Sequence, residues 1–526
     1  MNKIERQSRS TADVEVLSDE AAREISRLPT EVLDFTDAPP VAPRPPLTQG
    51  EVRTIILSLL LTMFLAALDQ TIVATALPTI GRQFGDVNNL SWVITAYLLA
   101  STAVAPVFGT LSDIYGRRAT IVIAMSLFMA GSLLCAVAPN MIVLIFARAL
   151  QGLGGGGILP IVQTVISDVV TPRERGQYQA YFSGVWVAAG VSGPILGGVF
   201  AEHIHWSMIF WINLPLGAAA LALLLPKMKK IPVFHRPRKV DWLGGVLLMA
   251  SAVVLMLVLT WGGTRLSWTS PTIMALVGAA VAMAFAFVWH ALHTEQPFLP
   301  LTLLSGRVVP FAMAAGSCAM GAMLGLTVHL PLYYEVVYGL TAAEAGLALI
   351  PIAAVSVLGA AVAGRVMVRA RHYKWVSIVG TGCAAVMGLI IAVTTPLPLP
   401  LLLTALAVMS IGLGMVFPVS LVSTQNAVPR PQVGTATGAM NFFRALTSSF
   451  TVAAFTTVLL MALGSGISIT ADRTGSLHPI AATEMVTAFR YVFGAAAAML
   501  AMAALFITLM EERPLAGPAL STEISE

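Results

Sequence analysis

Residues 64–80 read FLAALDQTIVATALPTI, an apolar run with one aspartate, Asp69, at its centre. The reason for a carboxylate at that position decides the fold class. Thr62, Ala66, Asp69, Val73 and Ala76 recur at four- and three-residue spacing, so they share one face of a helix. It is the small face; Phe64, Leu65, Leu68 and Ile72 cover the other directions. An ionisable group on the small face of a membrane-length helix points to protein or a water-filled cavity, and by default it marks a functional position. The plainer alternative is a structural carboxylate that only pairs with a neighbouring helix.

The whole chain suits that setting. Of its 526 residues 57% are hydrophobic and 11% charged, against about 25% charged in a soluble domain. Such a chain needs a bilayer as its solvent. The net charge of +4 is too small to suggest a nucleic-acid partner. Cys135, Cys318 and Cys383 lie in apolar runs without metal-ligand spacing, so they read as small buried hydrophobes, and no metal is expected.

Apolar runs of crossing length recur at 54–77, 91–112, 119–138, 141–166, 177–201, 207–226, 241–261, 271–292, 308–332, 342–366, 375–395, 398–422, 434–463 and 489–510. Fourteen helices follow, because runs this long exclude barrel strands. Lys and Arg set the orientation. Seventeen fall in loops on the side of GRR (116–118), PRER (172–175) and the segment 227–239, and four on the other side. Both termini are therefore expected in the cytoplasm. The expected organisation is a disordered tail at 1–50, a six-helix bundle at 51–226, a basic linker at 227–240, two inserted helices with their loop at 241–307, a second six-helix bundle at 308–512, and a tail at 513–526. Two six-helix halves around a midplane site are a recurrent transporter plan.

Arg148, in FARALQGLGGGGILP of the fourth span, sits at a depth comparable with Asp69 and is the expected partner. Its charge would favour ionised Asp69, whereas a dry surround would favour the neutral form. A carboxylate poised between these two can take up a proton in one conformation and release it in another. GTLSDIYGRRAT (109–120) joins spans two and three with Gly109 and Gly116 for a tight turn and Asp113 as acceptor for helix N-termini, Arg117 or Arg118. The fifth span, SGVWVAAGVSGPILGGVF, carries glycines at 184, 190, 193, 197 and 198 with Pro194, a pattern suited to close packing or to a bending gate.

LDQTIVATALP, GTLSDIYGRR, RALQG, AGVSGPILGG and the HWSMIFWINLPLG segment together resemble signatures of the major facilitator superfamily, and more narrowly its fourteen-span drug:proton antiporter branch. The resemblance covers about residues 54–510 and implies roles for matching residues. Asp69 would take part in proton coupling, with Arg148, Gln151 and Gly152 as the span-four motif. Gly109, Asp113, Gly116, Arg117 and Arg118 would form the loop that latches the bundles, and Gly190, Gly193, Pro194, Gly197 and Gly198 the antiporter hinge. Glu335 stands where such proteins often carry glutamine, so it is a candidate second titrating group, with a solvated interfacial carboxylate as the alternative. His329, one turn inward, reads as satisfying a backbone or side-chain partner, with a relay as the alternative. Trp92, Tyr97, Trp186, Asn441 and Arg444 are the candidate cavity residues, with a packing or interfacial role as the alternative for each.

The reading is an exporter of amphipathic small molecules across the cytoplasmic (inner) membrane, driven by protons as coupling ion, with no other cofactor and a monomeric transport unit. A periplasmic adaptor, used by some relatives, is left open. An exporter of an endogenous metabolite is the nearest alternative, and Arg444 would suit an anionic one. An embedded enzyme would need converging acid, base or nucleophile groups, and a channel would need polar rings; the spans offer neither.

Overall fold

The structure is a computed structural model and describes residues 48–86, 89–228, 240–263, 265–463 and 482–515. Most of the N-terminal tail (1–47), 229–239 of the linker and 516–526 of the C-terminal tail lie outside the described residues. Among the described residues fourteen helices are long and apolar enough to cross a membrane. They are α1 (Gly50–Phe84), α2 (Leu90–Tyr115), α3 (Arg117–Ala136), α4 (Met141–Val169), α5 (Pro172–Ile204), α6 (Met208–Met228) and α7 (Trp242–Trp261). The remainder are α8 (Pro271–His293), α9 (Val309–Tyr338), α10 (Ala343–Arg369), α11 (Lys374–Thr394), α12 (Leu399–Ala427), α13 (Arg430–Leu463) and α14 (Ala482–Leu509).

Each expected span falls on one helix, and several run further than composition suggested. α1 begins at a capping box, in which Thr48 accepts from the Glu51 N–H and Glu51 accepts from the Thr48 N–H. It continues through Pro78 to Phe84 and ends at Gly85, whose φ of 66° closes a bond to the Gly81 carbonyl. A proline removes one ladder bond, which a long packed helix tolerates.

α1–α6 and α9–α14 form two bundles. In the first, α4 packs against α2 and α3, and α1 against α5 and α6; in the second, α9 and α11 pack against α14, and α10 and α11 against α12. α2 and α4 pack against α13, and α5 against α10 and α12, which joins the bundles; α2–α13 and α5–α10 are the more extensive of these contacts. α7 and α8 pair with each other, and α7 lies against α2 and α13. Asp241 anchors this insertion, accepting from the Gly244 N–H (2.9 Å), the Phe298 N–H (3.0 Å) and His290 Nε2 (2.8 Å). Burial opposes its charge, yet the Gly244, His290 and Phe298 donors outweigh it and hold the carboxyl below the usual carboxylate range.

Bilayer-facing surfaces correct two expectations. Cys383, expected to be buried, is exposed on α11, because an apolar side chain gains as much from lipid as from a core; Cys135 and Cys318 are buried. Trp92, expected at the cavity, packs edge-on against Trp261 at 5.8 Å and so serves the α2–α7 contact.

The bundles are tied together at the basic face. Asp113 accepts from the backbone N–H of Gly434 (3.0 Å) and Thr435 (2.6 Å) and from Thr435 Oγ1 (2.8 Å), all at the start of α13. Arg117 donates through Nη1 to Asp113 (2.6 Å) and through Nε to Asp168 (2.9 Å), which links α2, α3 and α4. Arg118 is exposed, since successive helical residues diverge by about 100°. Gly116 turns the chain between α2 and α3 at φ 85°, where an L side chain is strained. A Cβ at Gly109 would lie 2.4 Å from the Gly434 carbonyl, and one at Gly364 of α10 would lie 2.4 Å from the Gly176 carbonyl of α5. The two most extensive inter-bundle pairs thus meet backbone to backbone at this face.

Gly109→Val is therefore expected to part the bundles at the basic face. Spin labels on the α2–α3 and α12–α13 loops would read a longer distance in the variant than in the parent protein. Asp113→Asn, which weakens charged hydrogen bonds worth about 1.5–3 kcal/mol each, should shift the same distribution less.

Candidate functional site

The small face of α1 brings Asp69 into the centre of the first bundle, where it is fully buried. Arg148 Nη1 donates to Asp69 Oδ2 at 2.7 Å and to Gln151 Oε1 at 2.6 Å, and its Nε donates to the Val93 carbonyl at 3.0 Å. Gln151 Nε2 and Asn213 Nδ2 donate to Asp69 Oδ1 at 2.7 and 2.9 Å. Ser132 Oγ accepts from the same two amides at 2.6 and 3.1 Å. Four helices, α1, α3, α4 and α6, thus close one polar cluster in which the carboxylate meets three donors.

The guanidinium is boxed in by aromatic faces. Its carbon lies 4.3 Å from the Tyr97 ring centroid and 5.8 Å from that of Phe210. Arg148 is 1% exposed and Tyr97 likewise 1%, so no water-accessible cleft reaches the pair in this conformation. The sequence placed Tyr97 on a substrate cavity; its ring instead covers Arg148, because cation–π contact in a dry site favours that stacking.

Glycines let α4 carry the arginine so deep. A Cβ at Gly152 would lie 2.5 Å from the Tyr97 carbonyl of α2, and one at Gly154 would lie 2.2 Å from the Phe128 nitrogen of α3. Across from them, Gly131 of α3 leaves room for the Gln151 backbone. The GLGGGG run is thus a wedge between two helices, and a side chain at several of its positions would push Arg148 away from Asp69.

The remaining candidates fall in different places. Gly193 and Gly197 of α5 sit against Thr71, Ile72 and Thr75 of α1, and Thr71 Oγ1 donates to the Ala189 carbonyl at 2.9 Å. Gly190 and Gly198 face open space, and Pro194 is exposed. The expected hinge is therefore in part a packing surface, gripping α1 within two turns of Asp69. Glu335 is exposed at the far end of α9 and stands outside the buried cluster. His329 bonds to the Gly325 carbonyl one turn back and to Thr456 Oγ1 of α13. Trp186 is exposed on α5. Asn441 of α13 donates to Gln163 Oε1 of α4 at 2.7 Å, and Arg444 is buried beside Ser420. Ser132 and Asn213 were not singled out from the sequence; the available signal was one amide in the otherwise apolar IFWINLPLG.

Comparison with known proteins agrees with this architecture. The profile of the Major Facilitator Superfamily matches residues 59–452. The MFS-type efflux pump LUC4 of Fusarium sp is 35% identical over 424 residues, 78% of this chain and 75% of that protein. Multidrug resistance protein 3 of Bacillus subtilis (strain 168) is 33% identical over 416 residues, 78% and 80% of the two chains. Among solved structures, the human organic anion transporter MFSD10 (TETRAN) superposes with a TM-score of 0.61 at 14% identity over 87% of this chain and 99% of that one. The proton:xylose symporter XylE gives 0.58 at 15% identity over 88% and 96%. At those identities the structural likeness speaks for the fold alone.

Removing one partner of a buried pair strands the other charge, at a cost of about 3–5 kcal/mol. Asp69→Ala and Arg148→Ala are each expected to melt well below the parent in detergent, whereas Asp69→Asn/Arg148→Gln together should recover much of the loss. A double variant no more stable than the worse single one would show that the two side chains are not coupled.

Proposed function

The chain belongs to the major facilitator superfamily, and from that premise we propose that it is a proton-coupled antiporter exporting amphipathic small molecules. It is a multi-pass membrane transporter with efflux-pump relatives, and not an enzyme. The proposal adds the driving ion, the substrate class and the membrane: the proton is the coupling ion with no other cofactor, the membrane is the cytoplasmic one, and both termini lie in the cytoplasm. The transport unit is a monomer. Similarity to efflux pumps from both a fungus and a bacterium gives no reason to require a periplasmic adaptor.

The observation that carries the reading is the Asp69–Arg148 pair with its amide partners. A proton on Asp69 removes the charge that holds Arg148, so conformations that separate α1 from α4 gain relative to the closed cluster. Protonation then has different affinity for the two states, as any driving ligand must. α1 is also gripped by Gly193 and Gly197 of α5, and α5 meets α10 of the other bundle at Gly176 and Gly364. A shift of α1 at the acidic site is thereby passed to an inter-bundle contact. In the proposed orientation, the closed basic face makes this conformation outward-facing, and rocking of the two bundles supplies alternating access.

Proteoliposomes with an imposed pH gradient and a set of fluorescent dyes test the reading. Gradient-driven dye transport should fall at least tenfold in Asp69→Asn, dye binding should survive, and Asp69→Glu should keep part of the transport. Coupled transport of parental rate in Asp69→Asn rejects this carboxylate as the coupling group.

A further inference from the structure

α13 carries a polar stripe at four- and three-residue spacing: Thr437, Asn441, Arg444, Ser448 and Thr451. Among the described residues, the hydrogen bond lying deepest along α13 between the two bundles is that of Asn441 with Gln163. Arg444 stands one turn further along. Its Nη2 donates to Ser420 Oγ at 2.6 Å, and its guanidinium carbon lies 5.4 Å from the Phe417 ring centroid. The residue is 9% exposed, and its Nε has no hydrogen-bond partner among the described residues. Gly316 of α9 faces it, where a Cβ would lie 3.0 Å from both Nε and Nη2 and 2.9 Å from Ser420 Oγ. Thr424, one turn from Ser420 on the same face of α12, also keeps a buried hydroxyl without a partner.

Arg444 contrasts with Arg148, which has its carboxylate. The acids of α9–α14 are Glu335, Glu344 and Glu484, all exposed near helix ends. On α2 and α4, which pack against α13, Asp113 and Asp168 are engaged at the basic face by Thr435 and Arg117. A buried charge without a counter-charge is costly, and a planar fork with unused N–H donors matches an oxyanion in shape and charge.

We propose that Arg444 binds the carboxylate of the exported molecule, with the Thr424 hydroxyl as a further donor, so that the transported class includes amphipathic organic anions. This deepens the export reading and rests on it. The anion supplies the charge that the second bundle lacks. Asn441, one turn away, spans the two bundles, which places the anion beside a contact that must break when access changes sides.

Full-length protein in proteoliposomes, with fluorescein as anionic probe and ethidium as cationic probe, tests the assignment. Arg444→Gln should lower kcat/KM for fluorescein at least tenfold more than for ethidium, about 1.4 kcal/mol, chiefly through KM, and Arg444→Lys should restore part of the difference. Equal loss for both dyes, or export of ethidium without export of fluorescein by the parent, overturns the anion site and leaves proton-driven export standing. Fluorescein anisotropy with detergent-solubilised protein separates the two readings. Binding that disappears in Arg444→Gln, without any response of transport to the pH gradient, retains the anion site and removes the proton coupling; absence of binding by the parent removes the anion site.

Discussion

The contact between Asp69 and Arg148 organises the first bundle. Two opposite charges 2.7 Å apart, with side chains at most 1% exposed, can be accommodated only if each is also hydrogen-bonded. Gln151 and Asn213 donate to Asp69, Gln151 and the Val93 carbonyl accept from Arg148, and Ser132 holds both amides, so α2, α3 and α6 join α1 and α4. The aromatic faces of Tyr97 and Phe210 then exclude water from the guanidinium. Every one of these side chains must arrive at one point, which fixes the rotation of α1, α3, α4 and α6 about their own axes. Lipid-facing apolar packing alone imposes no such constraint, because bilayer and helix surface are equally apolar.

Close backbone approach is the second constraint, and glycine supplies it in two distinct roles. Around Gly152 and Gly154 it serves a fixed purpose, letting α4 insert between α2 and α3. At the basic face, Gly109 against Gly434 and Gly176 against Gly364 bring the bundles together across surfaces that carry few side chains to interlock. Such contacts give dispersion and dipole attraction over a small area, and they can form and part without repacking a core. The ionic part of that face is similarly concentrated: Asp113 caps the start of α13 from one side and holds Arg117 on the other. Movement at the face and rigidity within the bundle are therefore built from the same residue type.

The two bundles differ in their electrostatics. The first encloses a neutralised pair, whereas the second encloses Arg444 with one serine and an aromatic face. Around it the second bundle buries neutral polar side chains such as His329, Gln425 and Thr451 and an apolar cluster in which Tyr333 meets Phe489 and Phe493. Charge that is matched internally stabilises one conformation; charge that is unmatched invites a ligand.

Length and apolarity were legible in the sequence because they are additive along the chain: fourteen helices follow from counting, and the meeting of Asp69 with Arg148 from a rise of 1.5 Å per residue. Direction was legible only where periodicity was strong, as on the small face of α1. Tertiary structure decided the rest. It set Tyr97 over Arg148 and Trp92 against Trp261, separated Arg117 from Arg118, left Cys383 facing outward, and added Asn213 and Ser132 to the acidic site. The physical reason is that helix rotation in a membrane is chosen by which few polar atoms can satisfy one another, and those atoms lie 63 to 144 residues apart along the chain when counted from Asp69 to Ser132 and to Asn213.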